Sequence, residues 1–465
     1  MSGDAAVAYA RRTESRFVGD LARFVSFASV SAQPARARDV QACADWLAAH
    51  LRGIGLADAT AHPTAGHPIV CATWRRRPGA PTLLVYGHYD VQPVEPVSAW
   101  SSPPFEPTRI GDRLVGRGAS DDKAQLLAHV AALESYLRTA GGPPVNVVCV
   151  FEGEEESGSR SLAPFLLAQR DRLRPDLAVV SDTTMLGAER PALTYALRGN
   201  LVLELAVRGP SHDLHSGNFG GAVANPLESL CALLASLHDE HGRVAVAGFY
   251  DRVVPLSPAE RDLMARNGPS DAELLRSSGS AAAGEPGFTL YERSTARPSL
   301  SVTGVAGGYA GAGAKAVVPA RAVAKLDVRL VPRQDPRTIE QLIRRHVATH
   351  AGVPMSMSVI AASPPARSDL THPLLQAAAA AYARGFGRRP ALVRSGGTVP
   401  VVAMLQERLG VPTALLGFGL PEDRMHAPNE SAHLPTFARA IETCIWFLHE
   451  AARVHARPRR TTVAA

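Results

Sequence analysis

Cysteine and aromatic side chains are scarce in this sequence, at 5 cysteines and 6% Phe, Trp and Tyr in 465 residues. The cysteines (Cys43, Cys71, Cys149, Cys231 and Cys444) are odd in number and far apart, with no C-x-x-C, which excludes a zinc ribbon and a disulfide framework. They read as buried core thiols in a reducing compartment. Long hydrophobic runs are missing too. No stretch of about 18 apolar residues could span a bilayer, and Met1–Phe17 lacks the apolar segment of a secretion signal. A cytoplasmic protein with no membrane partner is expected. Lysine is the rarest charge: Lys123, Lys315 and Lys325 are the only ones, so the net charge of +6 is carried by arginine. The run Arg75-Arg76-Arg77 and a tail at Arg457, Arg459 and Arg460 come without interleaved aromatics or a nucleic-acid motif. They read as solvated basic surface, and nucleic acid is not an expected partner.

What is present, 46% hydrophobic and 20% charged residues, is globular. The length suits two or three compact units. Phe17, Leu21, Phe24 and Val25 keep helical spacing, as do Val40, Cys43, Ala44, Leu47 and Leu51 before Gly53 and Gly55. Short apolar runs follow at Leu83–Tyr86, Val147–Phe151, Leu177–Val180 and Ala414–Leu416, separated by helix-like stretches. These fit an α/β domain whose mostly parallel sheet is flanked by helices. The middle has another grammar. Strand patterns at Leu201–Val207, Ser299–Val305, Val323–Leu330 and Met355–Ile360 interleave with helix patterns at Pro226–Leu237 and after Asp335-Pro336. That β-α-β-β-α-β order is ferredoxin-like. The expected organisation is a catalytic domain over 1–197 and 366–465, interrupted by an α+β domain over 198–365. A long excursion at about 240–298 carries a helix-capping signal at Ser257 and Glu260.

Polar residues follow each apolar run. His88 and Asp90 come after the first, Glu152 and Glu154-Glu155-Glu156 after the second, Asp182 after the third, and His426 beyond a glycine-rich turn after the fourth. Asp121-Asp122 precedes another helix pattern. In open α/β sheets ligands bind at the carboxyl ends of the strands. Each motif alone has a bland explanation: a satisfied core histidine, a solvated acidic loop, an N-cap pair. Together they crowd carboxylates that would repel by several kcal/mol. Two divalent ions sharing one carboxylate relieve this, each with a position open for water. Zinc suits such nitrogen and oxygen ligands, with manganese or cobalt as substitutes.

These residues resemble the co-catalytic di-zinc peptidases that include carnosinase-type dipeptidases, glutamate carboxypeptidase, aminoacylase, acetylornithine deacetylase and succinyl-diaminopimelate desuccinylase. The matching segments run in order: Gly87-His88-Tyr89-Asp90, Gly116-Arg117-Gly118 through Lys123, Glu152 through Ser159, Ser181-Asp182, Asp213-Leu214-His215-Ser216-Gly217, Asp327 through Pro332, and His426-Ala427-Pro428-Asn429-Glu430. The resemblance implies that Asp121 bridges the metals and is joined to Asp122 by a cis bond. It implies that His88 and Asp182 complete one metal site, that Glu156 and His426 complete the other, and that Asp90 orients His88. Glu155 becomes the general base that activates water for amide hydrolysis, with Glu154 exposed. His215 becomes an oxyanion donor supplied by the partner of a homodimer formed through the inserted lid domain. Arg329, Gly397 and Thr398 hold the substrate carboxylate. The long excursion resembles the dipeptidase subgroup, so the expected substrate is a small dipeptide or peptide-like amide with a free C-terminal carboxylate. An N-acyl-amino-acid deacylase and a non-catalytic metal-binding homologue are the alternatives. Gly308 through Lys315 mimics a phosphate cradle but leads into strand-like residues, and reads as a loop.

Overall fold

The computed structural model describes residues 2–454 and divides into two compact units. Arg457, Arg459 and Arg460 lie outside the described residues. The first unit comprises Met1–Tyr195, Ser368–Val393 and Met404–Ala465. At the centre of its sheet the strands Asn146–Glu152, Thr82–His88, Leu177–Val180 and Thr413–Leu415 lie side by side and parallel. Antiparallel strands, Ile69–Trp74 among them, flank this block. Leu83, Leu84, Val85 and Tyr86 are all buried, as are Val147 through Phe151, because helices cover the sheet. Gln125–Ala140 packs on Thr82–His88, Ala37–Ile54 on Ile69–Trp74, and Pro373–Gly385 on Thr413–Leu415.

The helix Ala37–Ile54 buries Val40, Cys43, Ala44, Leu47, Ala48, Leu51 and Ile54, the stripe that its periodicity requires. Each fully buried leucine contributes about 1.5–3 kcal/mol relative to exposure. Gly53 lies inside this helix, and Gly55, in the left-handed region, closes it. Four of the cysteines are buried, whereas Cys231 is exposed, since its helix Pro226–Ser236 turns Leu230 and Leu233 inward instead. Arg75 and Arg77 are exposed, as expected of the basic run, and also donate to carbonyls of Arg172 and Pro143.

The second unit comprises Ala196–Arg367 and Arg394–Ala403. Its antiparallel sheet has the order Ser299–Gly307, Arg321–Leu330, Gly199–Arg208, Met355–Ser363. The helices Pro226–Ser236 and Pro336–His350 pack on it, giving the ferredoxin-like arrangement. Asp335 Oδ2 accepts a hydrogen bond from Thr338 N at 2.8 Å and caps the second helix. Leu201, Leu203, Leu205, Leu326, Val328, Leu330, Ile339 and Ile343 form the core between sheet and helices. Residues 308–316 are a loop leading into the short strand Val317–Val318.

Candidate metal centre

The parallel strands of the first unit end together, so their last residues and following loops meet at one edge. Thr82–His88 places His88 in register with Glu152. Gly87 permits close approach there: a Cβ would stand 2.9 Å from Asp122 Oδ2, the atom that accepts the His88 N–H. The Asp121–Asp122 peptide bond is cis.

Donor atoms of His88, Asp121 and Asp182 lie within 4.8 Å of one another, as do those of Asp121, Glu156 and His426. Asp121 belongs to both groups. Its Oδ1 is 3.1 Å from His88 Nε2 and its Oδ2 is 2.9 Å from His426 Nε2. Glu156 offers Oε1 at 3.3 Å from His426 Nε2, while its Oε2 accepts from Gln92 Nε2 at 2.7 Å. Three carboxylates and two imidazoles with one shared carboxylate are a donor set that fits two divalent ions.

The electrostatics make the same demand for positive charge. Burial, and then the charge of Asp121, push the Asp182 carboxyl up to about 7. Burial, and then Asp182, hold Glu155 well above the ordinary carboxylate range. Hydrogen bonds to Asp121 and Glu156 raise His426 to about 10. Burial opposes charge on His88, but Asp121 and Asp90 outweigh it and raise its pKa well above the usual imidazole value. These imidazole protons stand where divalent cations would replace them.

Around these donors the chain supplies a frame. His88 Nδ1 lies 3.1 Å from the Asp90 carbonyl and 3.4 Å from Asp90 Oδ1. The Asp90 carboxylate accepts from Glu155 N at 3.1 Å, Glu156 N at 3.0 Å and Ser31 Oγ at 2.6 Å. Asp90 therefore meets the histidine chiefly through its backbone carbonyl and pins the glutamate loop through its carboxylate. Glu154, expected at the surface, is buried. The turn Glu155–Ser157 folds over it, and its two oxygens accept from His67 N and Ser161 N, both at 2.9 Å.

Glu430 had a motif but no role in the sequence, and the structure supplies one. Its carboxylate accepts from Gly118 N (3.0 Å), Ser120 N (3.1 Å) and Asp121 N (3.0 Å), and pairs with buried Arg117 at 2.8 Å. Arg117 also donates to the carbonyls of Ala427 and Pro93. The loop bearing Asp121 and the loop bearing His426 thus share one buried ion pair. A sequence signal existed in the glycine-flanked Arg117, but nothing local pairs it with Glu430.

The remaining expected site residues belong to the second unit. Exposed His215 accepts at Nδ1 from Gly217 N at 3.0 Å, which leaves Nε2 to carry the proton of the neutral ring. Half-buried Arg329 donates from Nη1 to Thr398 Oγ1 at 3.2 Å and from Nε to Asp327 Oδ2 at 2.9 Å. Gly397 is exposed, its N–H donating to Ser395 Oγ at 3.1 Å.

A strand-end donor set of this kind on an α/β sheet with an α+β insertion defines a metal-dependent hydrolase. Residues 84–450 match Peptidase family M20/M25/M40, and the chain belongs to that family. Within it the likeness is to dipeptidases. The chain is 32% identical over 462 residues to the Cys-Gly metallodipeptidase dug1 of Schizosaccharomyces pombe, covering 95% of this chain and 97% of that protein. It is 30% identical to the human Beta-Ala-His dipeptidase, covering 83% and 78%. An M20 family metallo-carboxypeptidase from Sulfolobus solfataricus superposes with a TM-score of 0.86 at 32% identity, over 94% of this chain and 99% of that one. The protein is a metal-dependent peptide-bond hydrolase of the dipeptidase subgroup. Among the described residues no helix is long and apolar enough to cross a membrane.

Proposed function

We propose that the chain cleaves small dipeptides bearing a free C-terminal carboxylate, using two zinc ions held by His88, Asp121 and Asp182 and by Asp121, Glu156 and His426. The observation that carries this reading is the pair of donor groups sharing Asp121. Bound there, the ions supply Lewis acidity toward water and the scissile carbonyl.

The chain's own residues do the rest. Glu155, whose proton affinity is raised by burial and by Asp182, takes the proton of the attacking water and returns it to the leaving amine. His215 donates from Nε2 to the carbonyl oxygen as negative charge develops. Arg329, Thr398 and the Gly397 N–H hold the substrate carboxylate, a task suited to a guanidinium. His215 acts in the partner subunit of a homodimer formed through the inserted domain. A reducing, cytoplasmic setting belongs to the same reading, supported by the five free cysteines.

Turnover of Cys-Gly, β-Ala-His and N-acetyl amino acids, followed by chromatography, tests the substrate class; cleavage of the N-acetyl compounds alone would replace a dipeptidase by a deacylase. Glu155→Gln tests the base. It is expected to retain both metals by elemental analysis while kcat falls about 10²–10⁴-fold, and unchanged turnover would remove Glu155 from the chemistry.

A further inference from the structure

The loop Gly396–Thr398, which follows the strand Ala391–Ser395, has no regular structure of its own, yet it is held from three directions inside the second unit. Arg198 donates from Nε to the Gly396 carbonyl at 3.1 Å and from Nη1 to Ser299 Oγ at 3.3 Å. The Arg198 carbonyl in turn accepts the Thr398 hydroxyl at 2.7 Å, and that hydroxyl receives Arg329 Nη1. On the other side stands the long excursion. Tyr291 Oη donates to the Arg394 carbonyl at 2.9 Å and accepts the Arg394 N–H at 2.8 Å. Glu260 pairs with the Arg394 guanidinium at 2.7 Å. Ser294 closes against the turn so tightly that a Cβ on Gly396 would stand 2.5 Å from the Ser294 carbonyl oxygen and 3.2 Å from Arg198 Nη2.

We infer that Arg198, backed by the excursion at Tyr291 and Ser294, is a positioning residue that fixes Gly397 and Thr398 beside Arg329 for recognition of the substrate's C-terminal carboxylate. The inference rests on the carboxylate reading of Arg329, Gly397 and Thr398 and adds the residue that shapes their loop. Arg198 works through the loop: its Nε is engaged by the Gly396 carbonyl and its Nη1 by Ser299. Burial, and then the neighbouring Arg329, draw its pKa down to about 10, so a second cation is tolerated at this point at a cost. That cost has a return in geometry. A charged donor on a carbonyl makes a stronger hydrogen bond than a neutral one and orders a turn that glycine leaves free. The excursion acquires a function of its own, as the wall against which the turn is set.

The test compares Cys-Gly with its C-terminal amide in the full-length, metal-loaded enzyme. The wild type should prefer the free acid through KM. Arg198→Gln should raise KM for Cys-Gly about tenfold, the scale of one charge-assisted hydrogen bond, with kcat within about threefold and KM for the amide unchanged. Arg198→Lys should recover part of the loss, and elemental analysis should find the same metal content in all three. Gly396→Ala, which presses the turn off Ser294 and crowds Arg198 Nη2 while leaving the guanidinium itself in place, should reproduce the same KM signature and serves if Arg198→Gln does not fold. A wild type that treats acid and amide alike would overturn the carboxylate reading and this inference with it. A wild type that discriminates, with variants that keep its full preference or lose kcat on both substrates, would overturn the role of Arg198 alone.

Discussion

In the first unit the carboxylates that frame the donor set are sunk among backbone donors, although the donor His426 is itself exposed, while in the second unit His215 and Arg329 stand near or at the surface. Asp90, Asp122 and Glu430 are buried, and each accepts at least one backbone N–H around the donor set. His215 is exposed and Arg329 half-buried, each satisfied by a partner close by in its own unit. Under the proposed function the contrast suits two tasks. Ions of fixed geometry need a rigid frame built before they arrive. Groups that meet a departing and returning substrate need access, and only enough local bonding to fix a tautomer or an orientation. Substitutions in the two units should therefore fail in different ways.

The largest effect that separates the units is expected at His215. His215→Ala should lower kcat about 10²–10³-fold with metal content and metal affinity unchanged, as loss of an oxyanion donor does. A loss of metal in this variant would break the division. Glu430→Gln should give the opposite pattern. Leaving Arg117 buried without its carboxylate costs about 3–5 kcal/mol, and chelator competition should show metal affinity weakened about 10–100-fold. Unaltered affinity would mean that the Asp121 and His426 loops hold their places without the ion pair. A smaller effect sharpens the first unit's dependence on burial. His129, fully enclosed and 2.7 Å from Ser181 Oγ, has its pKa pushed down to about 3 by burial. The unfolded chain takes up this proton near pH 6.5 and the folded one does not, so stability present above that pH is lost as pH falls toward 3. His129→Leu should flatten the decline between pH 6.5 and 5 by on the order of 1 kcal/mol per pH unit in denaturant unfolding; parallel curves would exclude His129 as the source.

The ligand-type residues other than Asp121 were legible because a strand buried on both faces must release its polar residues at its end, and four such strands were visible as apolar runs; Asp121 stands before a helix and was singled out by the resemblance. The three consecutive glutamates were not fully legible. Their exposures are set by the single turn Glu155–Ser157, which hides Glu154 against His67 and Ser161, partners that no local pattern indicates. The Arg117–Glu430 pair escaped for the same reason on a larger scale, since its halves come from opposite ends of the first unit's chain. In the inserted unit the alternation of Leu201, Leu203 and Leu205 disclosed its sheet, and Asp335-Pro336 disclosed a helix start. Cys231 was misread because its helix is apolar on more than one side, and only packing decides which side is covered.

Anomalous diffraction from crystals of the active, zinc-loaded protein bears most directly on the shared carboxylate. Two peaks are expected, one among His88, Asp121 and Asp182 and the other among Asp121, Glu156 and His426, each within about 2.0–2.2 Å of its own Asp121 oxygen. A single peak, or a second ion away from Asp121 in fully active material, would contradict it.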